Sequence, residues 1–141
     1  TTANGTSTTT VNLATAIDPS KAYLMFQSSH DSSDPGGSMI RGRVLDANTL
    51  QFQSVYDTSS DINIQWYVVE YTSGVNVQRG EEAQSSTTLN VIIPTALSAV
   101  NQAFVTWSKT PRGSDTSWSG DDPIIGEITS TAMVTKLRWV L

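Results

Sequence analysis

The sequence predicts an all-β fold, an antiparallel β-sandwich built from two pseudo-repeated halves. Three observations carry that expectation. Thr, Val, Ile, Tyr and Trp, which suit a pleated and half-buried surface, are frequent, while charged residues make up only 15% of the chain. Short apolar stretches of strand length lie between turn signals, and Ile62, Ile64, Trp66 and Val68 fall at strict period two. An ordered set of elements in the first half also recurs in the second.

Taken in order, residues 1–10 are almost all Thr, Ser, Ala, Asn and Gly, too polar to cover a core, and are expected as an extended arm. The body of the domain is expected from 11 to 141. Val11 and Leu13 alternate with polar neighbours, and Asp18-Pro19-Ser20 makes a turn in which proline fixes φ. Residues 22–28 read as a strand covered on both faces, ending in a loop whose Asp34-Pro35-Gly36-Gly37 is a strong breaker. Residues 39–45 and 49–55 form a hairpin across Asp46-Ala47-Asn48. The period-two strand continues to Tyr71, turns at Ser73-Gly74 and is expected to return as Val75 and Val77 in a short-loop hairpin.

Residues 81–86 are a polar connector, after which Leu89, Val91 and Ile93 alternate until Pro94, which has no N–H for a ladder. A helical turn fits 95–100. Residues 103–107 read as another buried strand, 109–123 as a long loop, and 124–128 and 134–141 as the closing strands.

The repeat pairs Thr10-Val11-Asn12-Leu13 with Thr88-Leu89-Asn90-Val91, and Ala22-Tyr23-Leu24-Met25-Phe26 with Ala103-Phe104-Val105-Thr106-Trp107. It then pairs Asp34-Pro35 with Asp122-Pro123, and 40–44 with 124–128, bringing Gly42 and Gly126 into register. The halves run from about 11 to 80 and from 88 to 141. The tail 137–141 matches either 50–53 or 64–69. Two copies are too few for a solenoid, so each half is expected to bury its apolar face on the other.

Composition narrows the functional classes. Thirteen acidic against eight basic residues give a net charge of −5, and the basic residues are scattered apart from Arg41 and Arg43. A nucleic-acid binder needs a cationic stripe, so no nucleic-acid partner is expected. The absence of cysteine removes disulfides, thiolate metal sites and cysteine nucleophiles. No apolar run approaches the roughly 20 residues of a membrane-spanning helix. The start at Thr1, without an initial Met or signal peptide, is that expected of a processed product or of part of something longer.

No catalytic set is expected. Ser29, His30, Asp31 and Ser32 superficially look like a nucleophile set, but adjacent strand residues point to opposite sides, so His30 reads as a solvated loop residue. Glu70 interrupts an apolar strand and is expected to pair with an arginine such as Arg79 or to face solvent. Asp115, Asp121 and Asp122 offer the hard oxygen ligands that Ca²⁺ prefers, although no EF-hand spacing is present; no other cofactor is expected. Trp118, with Asp121 and Asp122, has the character of a glycan contact, an aromatic face beside carboxylates. Thr8, Thr9 and Thr10 are candidates for an assembly arm that completes a neighbour's sheet.

The stretch Gln65-Trp66-Tyr67-Val68-Val69-Glu70-Tyr71, followed by Gly74-Val75-Asn76-Val77-Gln78-Arg79-Gly80, resembles a motif of uncharacterised β-sandwich modules in phage particles and prokaryotic surface proteins. Their opening is also similar to Asp18-Pro19-Ser20-Lys21-Ala22-Tyr23. The order of an aromatic-rich strand, a hairpin and a Trp-bearing strand is loosely similar to H-type lectin domains, over about half of the chain. Together with the duplicated β architecture, the absence of reactive residues, the low charge and the Thr-rich arm, the phage and surface-module resemblance points to a non-enzymatic structural or adhesive module that works as an oligomer, on a virion surface or otherwise extracellular, such as a decoration, tail or fibre protein. Its partners would be copies of itself and other virion or surface proteins. A carbohydrate-binding lectin-like domain and a secreted filament or surface-layer subunit are the alternatives.

Overall fold

The computed structural model describes residues 2–4, 8–31, 33–55, 61–110, 115–120 and 122–138. It is mostly strand, arranged in three antiparallel sheets, with helix limited to single turns. The chain divides into two compact units, Thr1–Val77 with Ser108–Trp118, and Gln78–Trp107 with Ser119–Leu141.

Unit 1 holds two three-stranded sheets. β2 (Thr8–Asn12), β5 (Thr49–Gln53) and β4 (Arg41–Asp46) form one, in the order β2-β5-β4. β1 (Thr2–Asn4), β6 (Asp61–Glu70) and β3 (Ala22–His30) form the other, in the order β1-β6-β3. Alternation decides which side chains meet: Leu50 and Phe52 of β5 pack with Ile62 and Ile64 of β6 in one buried cluster that also contains Ile40. Val11, Leu24, Phe26, Val44, Trp66 and Val68 pack against it. Removing such side chains from water is worth about 1.5–3 kcal/mol each, which makes this row the main source of stability in the unit.

Leu50 lies between Val11 and Val44, and Phe52 between Thr9 and Gly42. Phe26 lies across Gly42, and a methyl group built there would be only 2.8 Å from Phe26 Cδ1. The same ring meets Phe52 edge-on, with centroids 5.3 Å apart. Glycine at 42 is therefore required by close approach.

Among the described residues, unit 2 contains a single sheet of β7 (Thr88–Ile92), β9 (Met133–Arg138) and β8 (Ile124–Ser130), in the order β7-β9-β8. Its pairings follow those of β2-β5-β4 residue for residue. Val134 lies between Val91 and Ile128, as Leu50 lies between Val11 and Val44. β4 shifts register between Val44 and Asp46, and β8 between Ile128 and Ser130. Beyond the strands, Leu13 and Ile17 N–H groups donate to Asn48 and Ala47 carbonyls, and Ile93 and Leu97 donate to Ala132 and Thr131. Trp107 lies across Gly126, where an added methyl group would be 2.8 Å from its Cε3.

Several expectations are corrected. Residues 8–10 do not extend from the body: β1 pairs with β6, and Thr8, Thr9 and Thr10 pair within β2 to Gln53, Phe52 and Gln51. β3 is covered on one face only, because Met25, Gln27 and Ser29 are exposed on the other. Val75 and Val77 do not return along β6. Gly74 turns at φ 78°, and the Val77 N–H then donates to Ser20 O, carrying the chain past the turn at 18–21. Asp34-Pro35-Gly36-Gly37 breaks the strand by forming a helical turn, α1 (Pro35–Ser38), because proline at its first position needs no N–H partner. The other helical turn lies at Val100–Gln102, later than expected. Residues 103–107 lie outside the strands of the three sheets, and Phe104 is 64% exposed rather than buried. By position in the ladders, Val11 matches Val91, two residues beyond the expected match with Leu89, and Leu50 matches Val134; residues 139–141 of the expected tail lie outside the described residues.

Replacing Gly42 by alanine forces Phe26 out of its place beside Phe52. The expected loss is about 1–3 kcal/mol, the usual cost of overpacking, read as a lower urea midpoint. Gly80→Ala is the control, since an added methyl there meets nothing within 4 Å; equal midpoints for the two variants would contradict the packing described.

Candidate functional site

Two loops of unit 1 meet around the breaker. Ser38 donates both its N–H and its hydroxyl to Asp34 O, at 3.0 and 2.6 Å. The Gly36 N–H donates to Asp115 O at 3.0 Å, and Gly36 O accepts the Val55 N–H. All four residues of α1 are buried, so the 115–118 segment is anchored to a solid base. Asp115 Oδ1 accepts the Ser117 N–H. Trp118 Nε1–H donates to Ser33 O at 2.7 Å, while 55% of the residue remains exposed. The indole is thus held by its polar edge and presents an apolar face to solvent, an arrangement suited to stacking on a sugar or a protein surface.

The carboxylates proposed beside it do not all share that role. Asp122 is only 3% exposed, and its Oδ2 accepts the Ser119 N–H at 2.7 Å, closing its own turn. Burial removes it as a surface contact for a glycan. Its Oδ1 is buried without a hydrogen-bond partner. Asp121 lies outside the described residues. Among the described residues no group of three or more His, Asp or Glu side chains converges as metal ligands would, Asp115 and Asp122 included.

His30 ends β3 opposite Ile62 and is half-buried, whereas Ser29 and Asp31 are exposed. Ser29 and His30 project from opposite faces of the strand, so they do not converge. Glu70 holds a turn: its Oε1 accepts the Asp18 N–H at 2.6 Å. Asp18 in turn accepts the N–H and hydroxyl of Ser20 and pairs with Lys21 Nζ at 3.1 Å. The Ser20 hydroxyl, then Lys21, holds the Asp18 carboxyl below its ordinary value. Tyr71 stacks on Tyr23, with ring centroids 6.3 Å apart, and desolvation, helped by Tyr71, pushes the Tyr23 hydroxyl up.

The sequence reading missed the open face of β3 and β6. Tyr67 is 67% exposed and sits opposite Met25, itself 49% exposed, beside a Gln27–Gln65 side-chain hydrogen bond. The available signal was parity: Tyr67 falls between Trp66 and Val68, so it faces away from the side on which Ile62 and Ile64 are buried.

No family model matches the chain, and no curated protein or solved structure matches it either.

Because the folded state holds Asp18 more acidic than the unfolded chain does, its contribution is present at neutral pH and fades as pH falls through the carboxylate range. Asp18→Asn should therefore have a lower urea midpoint than the wild type at pH 7, with the gap closing on acidification. A gap that widens toward low pH would contradict the assignment.

Proposed function

We propose that the chain is a non-enzymatic structural or adhesive module that self-assembles on the outside of a particle, as a phage virion decoration, tail or fibre component does. It is built from two pseudo-repeated halves with β-sandwich character. The observation that carries this reading is the agreement between β2-β5-β4 and β7-β9-β8 in strand order, register, bulge position and flanking hydrogen bonds. Random drift of insertions does not reproduce a ladder pair by pair, whereas duplication does. The sandwich character is supported by the single apolar cluster to which both sheets of unit 1 contribute. Repeated β-modules offer surfaces for contact, and the apolar groups left at the surface, Tyr67 and Met25 in unit 1 and Ile92 and Phe104 in unit 2, suit such contacts.

Sedimentation velocity over a concentration series should show discrete oligomers, and immunogold electron microscopy of the producing source should label particle surfaces. A chain that stays monomeric up to its solubility limit and labels only unassembled material would overturn the proposal.

A carbohydrate-binding role is the second reading, favoured by the tethered, half-exposed indole of Trp118. On a glycan array, Trp118→Ala should lose at least about tenfold in signal, equivalent to the loss of one stacking contact. Absence of binding to any sugar by the wild type would discard this reading.

A further inference from the structure

The two faces of the β3–β6 ladder differ in kind. Inward, Ile62 and Ile64 are buried and the even-numbered neighbours pack against them. Outward, three cross-strand pairs lie in a row, Met25 with Tyr67, Gln27 with Gln65 and Ser29 with Asn63, and all six residues are exposed. The row runs from an apolar, aromatic end to an amide and hydroxyl end. None of the six carries a charge, in a chain whose net charge is −5.

The polar part of the row is set in place. Gln27 Nε2–H donates to Gln65 Oε1 at 2.6 Å. That bond uses one donor and one acceptor, so whichever way the two amides are turned, one carbonyl oxygen and one further amide NH2 remain to face solvent. A sugar hydroxyl both donates and accepts, and an amide carbonyl beside an amide NH2 answers both needs. Tyr67 supplies an exposed ring next to them, which suits the apolar face of a pyranose.

Size and charge select among occupants. With a rise of about 3.4 Å per residue and strands about 4.8 Å apart, the row is roughly 14 Å long and roughly 10 Å wide. A stable protein interface takes about 800 Å² from each partner, several times that footprint. A contact of that size would run onto exposed Asp31 at one end and exposed Glu70 at the other. A second copy laid face to face would then set carboxylate against carboxylate in either orientation. A slender ligand stays within the uncharged row, and an acidic one is disfavoured by the same two carboxylates.

We propose that the outward face of β3 and β6 binds a neutral linear oligosaccharide, with the Tyr67 ring against one pyranose and the amides of Gln27, Gln65 and Asn63 on the hydroxyls of its neighbours. The inference rests on the adhesive reading of the chain and names what the module adheres to. It is independent of the loop that carries Trp118.

The test uses the whole chain with methyl-¹³C methionine, which places one reporter in the row, Met25, and two outside it, Met39 and Met133. Cellohexaose, xylohexaose and mannohexaose are the neutral probes, and hexagalacturonate is the charged one. The expected result is a saturable shift of the Met25 signal with at least one neutral probe while Met39 and Met133 stay in place. Binding of that probe should be at least about tenfold weaker in Tyr67→Ala, and hexagalacturonate at least about tenfold weaker than the neutral sugar. A stationary Met25 with every neutral probe, undiminished binding by Tyr67→Ala, or equal binding of hexagalacturonate would overturn the inference. Sedimentation velocity on the same samples separates it from self-assembly. Wild-type oligomers that persist while Met25 fails to respond sink the sugar site alone. Oligomers that dissociate in Tyr67→Ala also sink it, by giving the face to a second copy. A strictly monomeric wild type whose Met25 responds as expected sinks self-assembly and leaves the site standing.

Discussion

The row formed by Leu50 and Phe52 against Ile62 and Ile64 is the contact on which unit 1 depends. Among the described residues it is the only place where both sheets of the unit contribute fully buried side chains. The rest of the unit is arranged to protect it. Gly42 lets Phe26 lie flat at its border, and Val11 and Val44 flank Leu50 on either side. The Asp18 turn, held by Glu70 from the far end of β6, ties the entrance of β3 to the strand it pairs with. Local hydrogen bonds therefore reinforce a register that the apolar pattern already selects.

Unit 2 repeats the ladder but not the seal. Lys136 occupies the register position that Phe52 holds in unit 1, and Val134, smaller than leucine, the position of Leu50. The same strand order thus supports a different balance of burial. Strand pairing alone is a weak source of stability in water, since each backbone bond replaces one to solvent. A sheet with one thinly covered side is expected to open more readily than one with a closed core.

Much of this was legible in the sequence where the signal was periodic. Ile62, Ile64, Trp66 and Val68 announced β6, and Asp46-Ala47-Asn48 announced the β4–β5 hairpin, because alternation and turn chemistry are local properties. The match of Gly42 with Gly126 pointed to the aromatic contacts without revealing them. What local pattern could not supply was partnership. Residues 103–107 have the composition of a buried strand yet lie outside the sheets with Phe104 exposed, while Thr8–Thr10 have that of a loose arm and are paired. The candidate site divides in the same way: Trp118 was readable as a loop aromatic, but its bond to Ser33, 85 positions away, and the burial of Asp122 depend on tertiary placement.

The register shifts after Val44 and Ile128 have a consequence for growth. Both occur on β4 and β8, the outer strands of their sheets, where an extra residue increases twist and spoils the flat ribbon that a foreign sheet would need in order to dock edge-on. An edge kinked in this way is a poorer template for a second sheet than a straight one.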